Sequence, residues 1–352
     1  MKKIFKFILF ILIFGGLSYL ITIYMNKNVE TVSKEYSVAV YNYKPKVKIV
    51  DENSNTRPYA VSINNNHLSW PHAGLSKAYL CYELIAEGGI TRILAFYKDV
   101  DVEKIGSVRS ARHYFLDYAL ENDAIFVHYG HSPQALSDIK ALNVDNINGM
   151  YNTISFFRDK TLNKAFEHTA FTSTDKIKAS VDKYKYRTTT DVKLLKYTPY
   201  KVLMNKDKTV IDAKNITIKY SDYTSTKYEY DETNKVYKQY MKDTLQIDSI
   251  TNKELTVKNI ITYEVENTSL NDNKGRQDLL NIGSGEGYYI TEGKAIKIKW
   301  SKSSRTSKTK YTDMNNNELV VNDGNTWINI CPINAKVVIE GPSTTENTAN
   351  NM

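Results

Sequence analysis

Between residues 57 and about 190, short apolar runs alternate with segments of helical periodicity. A chain patterned this way buries both kinds of element by laying helices on the faces of a sheet. "RPYAVSINNN" reads as a strand, "AGLSKAYLCYELIAEG" places Leu75, Ala78, Tyr79, Tyr82 and Ala86 at helical spacing ahead of Gly88 and Gly89, and "RILAFYK" returns to strand. A helix over about 108–120, the strand "AIFVHYG" and a helix opened by "SPQALSDIKAL" complete the series. The expectation is an α/β domain over 57–195 with a parallel or mixed sheet.

Past residue 200 the texture changes to period-two runs rich in Tyr and Thr, such as "TIKYSDYTSTKYEYDETNKVYKQYM" and "GYYITEGKAIKIKW". The clusters "DETNK", "TEGK" and "NDGN" are good hairpin connections, so a second, mostly β domain is expected over 196–340, with a disordered tail over 341–352. "GSGEG" at 283–287 lacks the strand-then-helix context and the Lys-Ser/Thr of a phosphate loop and reads as a β-turn or bulge.

The first residues, "MKKIFKFILFILIFGGLSYLITIYM", put Lys2, Lys3 and Lys6 ahead of an apolar run. At roughly 20 residues, or roughly 30 Å of helix, the run suffices to cross a bilayer. The expectation is a single-pass transmembrane anchor over 1–26 with a cytoplasmic N-terminus, a tether over 27–56, and the domains outside the cytoplasm. A cleaved signal peptide is the competing reading, since Gly15, Gly16 and Ser18 are small, but no Ala-x-Ala-like site follows. No cysteine follows the run either, which disfavours lipid attachment.

The 47 basic and 39 acidic residues are interspersed, giving a net charge of +8 without long runs of one sign. That suits an anionic partner such as wall polymer or lipid headgroups, and no compact nucleic-acid motif accompanies it. Cys81 and Cys331 lack metal-type spacing and read as small core residues; no metal and no cofactor is expected.

Candidate chemistry concentrates in the first domain, which holds all six histidines. His128 ends an apolar strand where open α/β sheets form ligand crevices, and Asn64 and Asn65 end another, so both strands are expected to feed one rim. Ser132 and Pro133 form an N-cap and N1 pair, so the amides around Gly130 to Gln134 would face an anion. On the expected helix over 108–120, Arg109 and Arg112 lie three apart beside the apolar stripe, and a buried arginine needs a carboxylate. Glu83 and Glu87, four apart on the preceding expected helix, supply one, with Arg92 nearby. These groups are either a structural ion-pair network or a crevice. In the crevice reading, Glu83 and Glu87 act as acid and base with His128, and Asn64, Asn65, Arg92, Arg109, Arg112 and Ser132 hold an anionic ligand. "WSKSSRTSKTK" is a basic, hydroxyl-rich segment that reads as a solvated loop or a polymer-facing patch.

"GLSKAYLCYELIAEGGITRILAFY", "EKIGSVRSARHYFLDYALENDAIFVHYGHSPQAL" and "GSGEGYYITEGKAIKIKWSKSSRTSKTKY" resemble the YerB-like family of two-domain bacterial cell-envelope lipoproteins, whose function is unassigned. The resemblance implies an envelope location and no catalytic residues. The chain departs from the family pattern by lacking the lipobox cysteine and by carrying Thr169 after the histidine of "EHTAFTST", where an asparagine is expected. The function expected is that of a membrane-anchored extracytoplasmic module binding wall polymer or envelope proteins in a Gram-positive cell. The alternative is a peptidoglycan-active enzyme that cleaves or transfers glycan.

Overall fold

The computed structural model describes Leu17, Ser18, Leu20 and residues 46–202, 204, 210–333 and 335–341. The expected anchor therefore lies outside the described residues apart from three helical positions, and among the described residues no helix is long and apolar enough to cross a membrane. The tail over 342–352 lies outside them too. The expected tether is shorter than predicted: Val47 is buried, and the amides of Lys48 and Ile49 donate to the Asp323 carboxylate at 2.9–3.0 Å.

The architecture is a mixed α/β N-terminal region and a mostly β C-terminal region, joined through one sheet. Strand β1 (Tyr59–Asn64) pairs antiparallel with β3 (Thr91–Tyr97), which pairs antiparallel with β2 (Leu80–Ile85). Strands β4 (Ile125–His128) and β5 (Asn146–Asn148) add in parallel beyond β1. The C-terminal half supplies two sets of strands. One, built from β6 (Asn215–Lys219), β7 (Ser225–Asp231), β8 (Val236–Met241) and the last strand of the chain, forms a separate antiparallel sheet. The other, β9 (Asn259–Val265), β10 (Gly283–Thr291), β11 (Lys294–Lys302) and β12 (Thr326–Pro332), extends the central sheet. Here β12 lies parallel to both β2 and β9, with Leu80 opposite Thr326 and Leu84 opposite Ile330.

The helix predicted over "AGLSKAYLCYELIAEG" is instead a 3-10 turn at Leu75–Lys77 followed by β2. Every residue of β2 is buried, because helices cover one face of the sheet and the second sheet covers the other. With both faces apolar the period-two signal disappears, and a short apolar run fits either element. Alternation still sorts the side chains: Leu80, Tyr82 and Leu84 face α1 (Phe115–Glu121) and α2 (Pro133–Ala141), while Cys81 packs on the second sheet with α3 (Thr174–Tyr184) behind β1. Cys81 and Cys331 are buried free thiols, as expected. The predicted helix over 108–120 is also shorter: α1 begins at Phe115, and residues 106–111 are extended because they bridge to β1 and to the turn after β4.

"TEGK" makes the expected tight turn, with Glu292 and Gly293 at φ 52° and 74° joining β10 to β11. "GSGEG" is the start of β10 rather than a turn, and Gly285 lies under an indole: a Cβ there would fall 2.8 Å from Trp300 Nε1. The basic segment after Trp300 is not wholly a solvated loop, since two of its cations turn inward while Lys308 and Lys310 stay exposed. Lys302 is buried with Nζ 2.7 Å from Glu121 on α1, and Arg305 binds Asp117 and Asp138 at 2.6 Å each. These ion pairs fasten the C-terminal half onto the helices of the N-terminal half.

Candidate ligand-binding site at the rim of the central sheet

Strands β1, β4 and β5 run parallel, so their carboxyl ends emerge at one edge carrying Asn64, His128 and Asn148. The expected shared rim exists, but the chain's own backbone fills its crevice. Asn64 N–H donates to Ser107 O and Arg109 N–H to Ser62 O, each at 2.8 Å, while Tyr129 N–H donates to Arg109 O and Ala111 N–H to Gly130 O, each at 2.9 Å. His128 is buried beneath this plug, 2.7 Å from Gly130 O and 3.1 Å from Asn146 Oδ1, and stacks on Phe126. Burial lowers its pKa to about 4, so it is a neutral packing and hydrogen-bonding residue. Ser132 caps α2 by accepting from Ala135 N–H at 3.1 Å. Nearby amides are already engaged: Gly130 N–H goes to Asn148 Oδ1 and Ser132 N–H to Ala111 O. These two amides of the expected anion cradle are thus taken by protein acceptors.

Glu83 and Glu87 do not share a helical face. Glu83, on β2 with Cys81's parity, is fully buried between the two sheets and accepts hydrogen bonds from neutral donors: Asn65 Nδ2 at 3.1 Å, Thr91 Oγ1 at 2.8 Å and Thr226 Oγ1 at 2.9 Å. Burial pushes its pKa up to about 7, against the pull of the two threonine hydroxyls. Glu87 sits in the 3-10 turn after β2, closed by Gly88 and Gly89 at φ 64° and 72°. Its carboxylate binds Arg92 Nη2 at 2.5 Å and Arg112 Nη2 at 2.7 Å, and both arginines are buried. Burial alone would raise the Glu87 pKa, but Arg92 and Arg112 hold it down to about 2. Burial and the neighbouring Arg92 in turn push Arg112 down to about 10. Arg92 and Arg112 therefore form the structural ion-pair network of the sequence reading.

Arg109 stands apart from that pair, 3.1 Å from the exposed Glu167, whose other oxygen is 3.7 Å from His168 Nε2. Asn64 organises this corner: its backbone carbonyl accepts from the buried His72 Nε2 at 3.0 Å, and its Oδ1 accepts from Asn66 N–H at 3.1 Å. The second bond fixes the amide, so Nδ2 faces His168 Nδ1 at 2.8 Å. Burial, with Arg109, Lys164 and His67 adding to it against Glu167, lowers the His168 pKa.

Residues of the Asn64–His72 loop also line a hollow of about 170 Å³ between the two halves of the chain. Asn65, Asn66, His67 and Trp70 line it from the N-terminal half, and Tyr223 and Lys242 from the C-terminal half. Asn65 is its polar back wall: it accepts from Trp70 Nε1 at 3.3 Å and passes its amide to Glu83 behind. A larger hollow of about 270 Å³, lined among others by Tyr79, Lys98, Asn122 and Tyr197, lies elsewhere; the one beside Asn65 is distinguished by its position next to the strand-end amides of the rim. Sequence reasoning found Asn64, Asn65 and Arg109 but missed Trp70, Lys242, Tyr223, Glu167 and His168. The only available signal was "EHT", whose position in space no local pattern gives. Among the described residues no group of three His, Cys, Asp or Glu side chains is placed to hold a metal ion.

Comparison with known proteins matches residues 46–187 to the N-terminal domain, and residues 216–328 to the C-terminal domain, of a family described as proteins of unknown function, DUF3048. The chain is 30% identical over 309 residues to "Putative lipoprotein YerB" of Bacillus subtilis (strain 168), which spans 86% of this chain and 88% of that one. The crystal structure of YerB protein from Bacillus subtilis superimposes with a TM-score of 0.72 at 27% identity, covering 84% of this chain and all of that one.

Proposed function

The chain belongs to the DUF3048 family with YerB, and from that premise we propose that it is an extracytoplasmic, membrane-held binding protein of the bacterial cell envelope, taking wall polymer at the rim pocket. The relative's description as a lipoprotein supports the location. With both cysteines buried in the folded part, we take the apolar run over 1–26 as the anchor. The observation that carries the binding role is the pocket itself. Trp70 and Tyr223 offer aromatic faces to the apolar face of a sugar ring, Asn66 and His67 offer hydrogen bonds, and Lys242 offers positive charge. Glycan cleavage by Glu83 and Glu87 finds no support in this geometry, since one carboxyl is buried and the other is held by two arginines.

The test is sedimentation of the detergent-solubilised full chain with purified cell wall. Wild type is expected to co-sediment, and Tyr223→Ala, at an exposed position, to weaken binding about tenfold, equivalent to about 1.4 kcal/mol. No sedimentation, or sedimentation indifferent to Tyr223→Ala and to Lys242→Ala, would defeat the assignment of this pocket.

A further inference from the structure

Among the described residues, Arg109 and His168 each keep a buried nitrogen without a hydrogen-bond partner, Nε in the arginine and Nε2 in the histidine. Such groups are rare, because an unmet buried donor forfeits its hydration without return. For His168 the chemistry is fixed by its neighbours. Asn66 N–H holds the Asn64 amide so that Nδ2 donates to His168 Nδ1, which leaves the proton of the neutral ring on Nε2. His168 is 2% exposed, so this N–H is buried and points toward Glu167. Glu167 comes close without completing the site. One oxygen is 3.1 Å from Arg109 Nη1, but the other is 3.7 Å from His168 Nε2, too far for a hydrogen bond. The Glu167 side chain is 57% exposed. Lys164, with Nζ held by the carbonyls of Ser69 and Trp70, adds a second fixed positive charge beside the same loop.

We propose that Arg109 and His168 form a binding site for a carboxylate group of a ligand, and that Glu167 partly fills it in the free protein. A carboxylate matches what the corner offers: a guanidinium and a neutral imidazole N–H, with a carboxylate already lodged imperfectly between them. Asn64, which holds His168, directly precedes Asn65 and Asn66 of the aromatic pocket, so a carboxylate-bearing polymer could engage both. That placement rests on the wall-binding reading above, while the anion site does not.

The experiment uses the full chain in detergent with [15N]histidine labelling. Six histidines give a simple spectrum, and His168→Gln assigns the signal. Sodium acetate, titrated against sodium chloride at equal ionic strength, is expected to shift the His168 resonance saturably. Glu167→Gln removes the internal competitor's charge and should tighten acetate binding by up to about fivefold, the most that an exposed ion pair of about 1 kcal/mol can withhold. Arg109→Gln should abolish the shift, with an unchanged spectrum of the other histidines showing that the fold persists. No saturable shift in either wild type or Glu167→Gln, or weaker binding in Glu167→Gln, would overturn the proposal; a shift with phosphate but not acetate would overturn the carboxylate assignment. If the chain sediments with wall while acetate leaves His168 unmoved, the anion site falls and the wall reading stands. If acetate binds as expected and wall does not sediment, the reverse holds.

Discussion

Glu83 and Glu87 are four residues apart, and the central sheet gives them opposite surroundings. Glu83 points at the second sheet, where threonine hydroxyls and an asparagine amide meet it and no cation does. The ionisable side chains that face it are Cys81 and Cys331 from the central sheet and Tyr220 and Tyr228 from the second, all neutral near pH 7. Glu87 lies with Arg92, which shares the parity of Leu94 and Phe96 and so belongs to the helix-covered face. The same side chain is thus a carboxyl that holds its proton up to about pH 7 between layers in one place and the counter-ion of two arginines in the other. What decides between these fates is the partner each face supplies, not depth alone: burial raises both pKa values, and only Glu87 has cations to reverse it.

Glu87→Gln is the sharpest way to break this comparison. It leaves Arg92 and Arg112 buried without a counter-charge, and the expected loss is about 3–5 kcal/mol of unfolding free energy, read from urea midpoints of the full chain near neutral pH. A midpoint within error of wild type would show that solvent reaches the arginines freely and that the triad is not structural.

Glu83→Gln should do the opposite, and only at high pH. An acid whose folded-state pKa exceeds its unfolded value holds its proton more tightly when folded. Its contribution to stability is therefore complete below about pH 4.5 and is lost as pH rises through about 7. The gap between 4.5 and about 7 amounts to roughly 3 kcal/mol. Glutamine keeps the shape and cannot ionise, so the variant should match wild type near pH 4.5 and exceed it by up to about 3 kcal/mol at pH 8. Glu87 runs the other way, its contribution full above pH 4.5 and lost as pH falls through about 2. Equal stability of Glu83→Gln and wild type at both pH values would mean that water or a cation reaches Glu83.

The contrast also shows where the sequence stops being informative. Strand β4, helix α2 with its Ser132 cap and the β10–β11 turn were legible because each is set by local chemistry: a buried run, an N-cap with Pro at N1, and a two-residue turn with both φ positive. Strand β2 was not, since its register against β12 is chosen by a strand from the other half of the chain, and two covered faces removed its alternation. Once β2 was read as a helix, Glu83 and Glu87 fell on one face and Arg92 became their common partner. The extended segment 106–111 was missed for a similar reason, because its hydrogen bonds go to Ser62 and Gly130 rather than within itself. The need of Arg112 for a carboxylate, by contrast, follows from burying charge in any fold, and the structure meets it with Glu87. The rim pocket depended on pairing Trp70 with Tyr223 and Lys242, which only the assembled halves bring together.

The smallest expected effect comes from a second Arg–Glu pair that resembles the first in distance and differs in setting. Arg109 and Glu167 meet at 3.1 Å, but Glu167 is largely in solvent, and screening there leaves an ion pair worth about 0–1 kcal/mol. Glu167→Gln should therefore leave the urea midpoint nearly unchanged and flat with salt, whereas Glu87→Gln shifts it strongly. Part of even this small loss is offset, because the amide can still accept from Arg109 and removing the carboxylate leaves an arginine that is itself partly hydrated. If burial of the partners sets the scale, the two Glu→Gln variants should differ by at least about 2 kcal/mol, the gap between the top of the exposed range and the bottom of the buried one. Equal destabilisation would mean that Glu167 is held as firmly as Glu87, and the Arg109 corner would then be a structural clasp rather than a site that a ligand can open.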